Sequence, residues 1–276
     1  MSLKILITGA SGFVGRKILS NLLEQGSKVS VVSRKNSVFN PIVRNQIDSF
    51  IYTSDLFKEK YSWFMQTLKE FDIVIHAAWF AKPSEYLDSE LNNDCLAGTL
   101  KLARAAKEIG VKRFIGIGTC AEYDFNYGLL SVDTPLKPIS AYARSKAKAY
   151  TELSEEFLNS STQFAWCRLF YLYGDSEDKQ RLVPYIREKL SSEQEVHISN
   201  GNYTRDYLDV EIAGARIAKI ALSSETGPFN VCSGIPITIK ELALKISQEY
   251  DRSDLLRFNN NTLNSTGPLY VVGVPN

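Results

Sequence analysis

Tyr142 and Lys146 stand four residues apart in "SAYARSKAKAY" (140–150), and Thr119 closes the apolar run "RFIGIGT" (113–119). In a helix, a four-residue step brings two side chains onto one face, within reach of each other or of a shared ligand. A phenol and an ammonium so placed suit acid–base work on an oxygen atom. A free tyrosine titrates near 10, so proton exchange near neutrality asks for a drop of about three pH units, worth roughly 4 kcal/mol. A neighbouring cation supplies a drop of that sign. Taken alone, the pair fits a solvated helix face with an incidental tyrosine better. Thr119, at the carboxyl end of a strand, adds a hydroxyl.

The elements that must hold these groups begin with "LITGASGFVGRKILSNLL" (6–23). An apolar run breaks into Gly9, Gly12 and Gly15 and resumes with helical periodicity. Gly9 permits a tight turn, Gly12 lets a phosphate approach the backbone, and Gly15 lets the helix pack closely on the strand. The helix then points its N-terminal amides at an anion. A close-packed strand–helix corner is the bland alternative. Because a second strand follows at 28–33, the context predicts dinucleotide binding.

Further β-rich runs at 3–8, 48–52, 72–76, 113–119 and 164–170 alternate with helical patterns, which predicts an α/β fold with a doubly wound parallel sheet. Beyond about residue 175 the rhythm changes. A helix is expected at 178–190, short strands near 195–198 and 228–231, and helices near 210–222 and 238–250. This divides the chain into a dinucleotide-binding domain, 1–175, and a smaller lobe, 176–276, with "NNNTLNST" (259–266) as a polar loop.

Composition excludes several classes of function. The 276 residues are 44% hydrophobic, ample for a core, and carry 32 basic against 31 acidic residues. No basic block is long enough to read as a nucleic-acid stripe. The N-terminus lacks the form of a signal peptide, and no apolar run has the length of a membrane span. Cys95, Cys120, Cys167 and Cys232 are scattered without a CxxC pair, as expected of reduced thiols in a cytoplasmic protein. Only His76 and His197 are available to a metal, and neither has a partner at ligand spacing, so both are expected to be structural and no metal is expected.

Five more stretches follow in order: "DIVIHAA" (72–78), "GVKRFIGIGT" (110–119), "YARSK" (142–146), "RLFYLYG" (168–174) and "TRDYLDV" (204–210). With the glycine turn they resemble, over nearly the whole chain, the extended branch of the short-chain dehydrogenase/reductase superfamily. That branch holds sugar-nucleotide epimerases, dehydratases and reductases. The resemblance implies a Rossmann-like fold with a C-terminal substrate-binding lobe. It implies that Tyr142 exchanges the proton with a substrate hydroxyl or carbonyl. Lys146 would hold the cofactor ribose and lower the tyrosine pKa, and Thr119 would hydrogen-bond the same oxygen. Cofactor contacts from Ser11, Phe13, Val14, Asp55, Leu56, Ala77 and Ala78 are implied beside the three glycines. "TRDYLDV" makes Arg205 the grip on a nucleotide diphosphate, a task that suits its bidentate fork. "RLVPYI" (181–186) adds Arg181 and Leu182 as nucleotide contacts. A surface ion pair from Arg205 to Asp206 or Asp209 is the alternative.

Members that use NAD carry an acidic residue after the second strand, for the ribose 2′-hydroxyl. Here "VVSRKNS" (31–37) offers Ser33, Arg34 and Lys35, which favours NADP(H) over NAD(H), against the alternative of a solvated basic turn. The 4,6-dehydratases place Asp-Glu straight after the threonine, whereas this chain has Thr119-Cys120-Ala121, so dehydration is not expected. Glu122, one position later, is expected to touch substrate with Cys120. Tyr171 stands where many epimerases have asparagine, and so does Cys95. The leading expectation is an NADPH-dependent reductase of a nucleotide-diphosphate-4-keto-6-deoxyhexose. An NAD-dependent nucleotide-sugar 4-epimerase is the alternative, and a homodimer is an open option.

Overall fold

The computed structural model describes residues 3–259 and 267–276, so the expected polar loop at 259–266 lies, apart from Asn259, outside the described residues. Runs rich in isoleucine and valine form β1 (Lys4–Thr8), β2 (Lys28–Ser33), β3 (Ser49–Tyr52), β4 (Ile73–His76) and β5 (Arg113–Thr119). With β7 (Gln163–Leu169) and β11 (Gly227–Val231) they make one seven-stranded parallel sheet, ordered β11-β7-β5-β4-β1-β2-β3. Near-continuous burial along β4 and β5 reflects helices on both faces.

Alternate residues feed two cores. Ile5 and Ile7 pack under α1 (Phe13–Glu24) and α7 (Val210–Leu222), against Ile18, Leu22 and Ile217. Leu6 and Val74 face the other way, toward α3 (Tyr61–Thr67), α4 (Leu91–Ile109) and α5 (Ala141–Phe157). The short α2 (Pro41–Gln46) bridges β2 and β3. Chain order reverses between β1 and β4, which opens a crevice at their carboxyl ends.

A second sheet covers the carboxyl side of β5. It contains β6 (Leu129–Leu130), β8 (Tyr171–Tyr173), β10 (Thr204–Asp209), β12 (Pro236–Thr238) and β14 (Tyr270–Gly273), with β10 central and β14 between it and β6. The remaining elements, α6 (Leu182–Ser191), β9 (Val196–Ile198), α8 (Ile239–Gln248) and β13 (Leu256–Phe258), enclose a separate apolar cluster of the lobe. Residues 210–231, within 176–276, return to the main sheet as α7 and β11, so the two parts interleave along the chain. The helix expected at 178–190 begins only at Leu182, with Arg181 as its N-cap.

Candidate active site

The crevice is a cavity of about 540 Å³ walled by Gly9, Ser11, Gly12, Ser33, Arg34, Asp55, Leu56, Ala77 and Ala78. Trp79, Phe80 and Cys95 continue the wall toward α5. Gly9 and Gly15 leave no room for side chains. A Cβ on Gly15 would overlap the Gly9 carbonyl oxygen, and Gly9 itself takes φ +74°. The Gly12 N–H donates to the Gly9 carbonyl at 3.0 Å, closing the turn. Ser33 Oγ is buried and has no hydrogen-bond partner among the described residues, a polar atom available to a ligand at the end of β2. Asp55 caps a short turn by accepting the Phe57 N–H at 3.0 Å. These residues fit a dinucleotide: a glycine cradle at a helix start and an unspent hydroxyl beside Arg34. Phe13, Val14 and Gly15 belong to α1 behind the wall, and Lys35 is exposed beyond it.

Three predicted residues converge behind Trp79, and none of them is itself part of the cavity wall. Ser140 caps α5 by accepting the Ala143 N–H at 3.1 Å, which sets the helix with Tyr142 and Lys146 on its inner face. The Tyr142 ring meets Tyr86 edge-on at 4.9 Å and Trp79 at 6.3 Å. Lys146 is only 4% exposed. Its Nζ donates to the Ile117 carbonyl at 2.6 Å and lies 3.7 Å from the Trp79 ring centroid. Burial pulls this ammonium down to about 7, against the pull of the Glu122 and Cys95 charges.

The expected lowering of Tyr142 by Lys146 needs correction. Burial pushes the phenol above its ordinary value, and Tyr86, Glu122 and Cys120 push the same way. The neighbouring Thr119 hydroxyl pulls it down. Lys146 Nζ is 6.0 Å from the Tyr142 ring centroid and turned toward its carbonyl. Tyr142 is thus held as a neutral phenol beside Thr119.

On the substrate side, Cys120 is buried against Tyr123, Leu130 and Val271, its thiol pushed up to about 12 by burial. Tyr171 and Arg205 are neighbours: the guanidinium lies 5.3 Å from the Tyr171 ring and 4.9 Å from that of Tyr203. Arg205 Nη1 donates to the Thr204 carbonyl at 2.8 Å. Among the described residues it makes no ion pair, and Asp206 and Asp209 are otherwise engaged. Arg181 is exposed and lies over Tyr86 at 5.4 Å, so it reaches the Tyr142 end of the cleft. Leu182 packs into the lobe core. Glu122 does not touch the cleft: it is fully buried behind Thr119 and paired with Arg168. Trp79 and Tyr86, which frame Tyr142 and Lys146, were not singled out from sequence; the only signal was an aromatic directly after "DIVIHAA". His76 is buried between the Thr8 and Thr99 hydroxyls at 2.7 and 2.8 Å, and burial pulls it down to about 3.

The family model described as NAD dependent epimerase/dehydratase family matches residues 5–232. Among curated proteins, the chain is 23% identical over 263 residues to dTDP-6-deoxy-L-talose 4-dehydrogenase (NAD(+)) of Aggregatibacter actinomycetemcomitans, covering 93% of this chain and 94% of that one. It is 22% identical over 262 residues to CDP-abequose synthase of Salmonella muenchen, covering 92% and 83%. Among solved structures, UDP-glucose 4-epimerase of Thermotoga maritima with UDP-glucose superposes with a TM-score of 0.81 at 22% identity, covering 99% of this chain and 90% of that one.

Proposed function

The chain belongs to the NAD dependent epimerase/dehydratase family and is an extended short-chain dehydrogenase/reductase enzyme of nucleotide sugars; within that class we propose that it reduces a nucleotide-diphosphate-4-keto-6-deoxyhexose with NADPH. The observation that carries this reading is the end of β2. There Ser33 presents an unspent buried hydroxyl and Arg34 a cation to the cavity, and neither they nor Lys35 is the acid that a ribose 2′-hydroxyl calls for. A reductase releases its oxidised cofactor after each turnover and takes up NADPH from solution, so a basic 2′-phosphate pocket serves net reduction.

The bound nicotinamide supplies hydride chemistry. The protein's own residues do the rest. Tyr142 gives the phenolic proton to the substrate oxygen, and Thr119 holds that oxygen by a hydrogen bond. Lys146 holds the ribose, and Arg205 answers the diphosphate with Arg181 at the rim of the cleft. The four free, buried thiols accord with a reducing, cytoplasmic setting. Among the described residues no helix is long and apolar enough to cross a membrane.

The test is a panel of nucleotide sugars with NADPH and NADH. Purified protein should consume NADPH stoichiometrically with a 4-keto-6-deoxy substrate, and Arg34→Asp should narrow or reverse the preference. A second reading, an NAD-dependent 4-epimerase, draws on Lys35 lying off the cavity wall, which leaves Arg34 to answer a 2′-phosphate by itself. Protein that purifies with bound NAD and interconverts two nucleotide sugars without consuming cofactor would move the assignment there.

A further inference from the structure

We propose that Glu122 is a positioning residue for Thr119, fixing through a buried ion pair with Arg168 the place from which the threonine hydroxyl meets the reacting oxygen. The inference rests on the reading of Thr119 as a hydrogen-bond partner of that oxygen. Glu122 and Arg168 are 0% and 1% exposed, and the guanidinium Nε donates to Glu122 Oε2 at 2.7 Å. Glu122 Oε1 accepts the Thr119 N–H at 2.8 Å, and both carboxylate oxygens receive the Trp166 Nε1–H, at 3.1 and 3.2 Å. Thr119 Oγ1 accepts in return from the Ala121 N–H at 3.3 Å. The threonine is therefore pinned from both its backbone and its side chain, where β5 ends.

Every group facing the carboxylate in these bonds is an N–H donor, so the site demands an acceptor without a donor of its own. A glutamate fits; a glutamine would turn an NH₂ group against one of them. The chain also clears space for the pair, since a Cβ on Gly118 would collide with the Trp166 indole and the Glu122 carboxylate. Gly118 lies opposite Arg168 across β5 and β7, and Gly116 opposite Trp166. From Arg168 the network runs on through Tyr123 OH at 3.0 Å to Asn230 at 2.7 Å. Stability alone does not require such a pair, because buried ion pairs are often replaced by apolar residues without loss. What an apolar pair cannot supply is the acceptor for the Thr119 N–H.

The experiment is a double-mutant cycle on kcat and KM, with Thr119→Ala on one side and the paired change Glu122→Leu/Arg168→Leu on the other. Thr119→Ala alone should lower kcat about tenfold, the value of one hydrogen bond. The paired variant should keep the KM of cofactor and substrate within about twofold and also lose about tenfold in kcat, and adding Thr119→Ala to it should cost less than about twofold more. If the paired variant does not fold, Glu122→Gln takes its place in the same cycle. Native kcat in the folded variant, or losses that multiply, would overturn the proposal while leaving the Thr119 role intact. A Thr119→Ala enzyme with native kcat would overturn the reading of Thr119, and the proposal with it.

Discussion

Lys146 Nζ lies 3.7 Å from the centre of the Trp79 ring while it donates a 2.6 Å hydrogen bond to the Ile117 carbonyl. A π face and a carbonyl dipole, rather than a carboxylate in contact, receive this buried ammonium. Neither recovers the full hydration it gives up, which is why burial brings it down to about 7.

That placement predicts how stability depends on pH. Between about 7 and 10.5 the unfolded chain holds a proton on Lys146 that the folded chain has released. Stability therefore rises with pH through this window, and below about 7 the charged form is buried at full cost, of the order of a few kcal/mol. Urea midpoints measured from pH 6.5 to 8.5 should climb in the native protein. Lys146→Met should start higher and lose this climb. Identical slopes in the two proteins would show that Lys146 keeps an ordinary pKa.

Tyr142→Phe should lower kcat by about 10² to 10⁴, the usual range for a lost proton donor, while leaving the dissociation constant of the dinucleotide nearly unchanged. Lys146→Ala should damage both turnover and cofactor binding. Stopped-flow kinetics with equilibrium titration of the cofactor separates the two. A Tyr142→Phe enzyme with native turnover would require another donor.

Arg205 makes its hydrogen bonds to backbone carbonyls and no ion pair among the described residues, so its charge is free to meet an anion. Arg205→Ala should raise the KM of the nucleotide sugar about tenfold to a hundredfold with little change for the cofactor. Native affinity should weaken as salt is raised. An unchanged KM would reduce Arg205 to a tie between Thr204 and Leu269.

Two glycines separate steric collision from backbone strain. Gly15→Ala puts a methyl into the Gly9 carbonyl, which should abolish dinucleotide binding and cost more than the protein can absorb without moving α1. Gly26→Ala, at φ +74° with nothing within 4 Å, should cost only about 1 kcal/mol and leave binding intact. Thermal melts with and without NADPH distinguish them.

The parts of the fold written in long apolar runs were legible in the sequence. Strands such as Ile73–His76 are covered on both faces, so burial alone dictates their composition. The convergence of Thr119, Tyr142 and Lys146 was legible too, because a strand end and a helix face carry them. The strands at Leu129–Leu130, Tyr171–Tyr173, Pro236–Thr238, Leu256–Phe258 and Tyr270–Gly273 were not, since two to four residues hold no period and their partners are remote. Glu122 was misread for a local reason. It stands one residue past the place where dehydratases carry their acids, and residues 120–122 coil into a 3₁₀ turn that carries it inward to Arg168. Nor does the motif disclose that Tyr142 sits among rings, where burial raises the phenol.

The strand Tyr270–Gly273 is wedged between partners from distant parts of the chain, with Gly273 beside Leu130 across roughly half of the sequence. Its register is held by the Asp206 carboxylate, which collects the N–H groups of Ser233, Gly234 and Gly273. The dinucleotide half, by contrast, assembles from neighbouring strand–helix–strand units. The two halves therefore differ in how far along the chain their pairings reach, the second sheet resting on the longest one. Hydrogen exchange should find the second sheet opening before the seven-stranded one, so that under mild denaturant the protein forgets its substrate before it forgets its coenzyme.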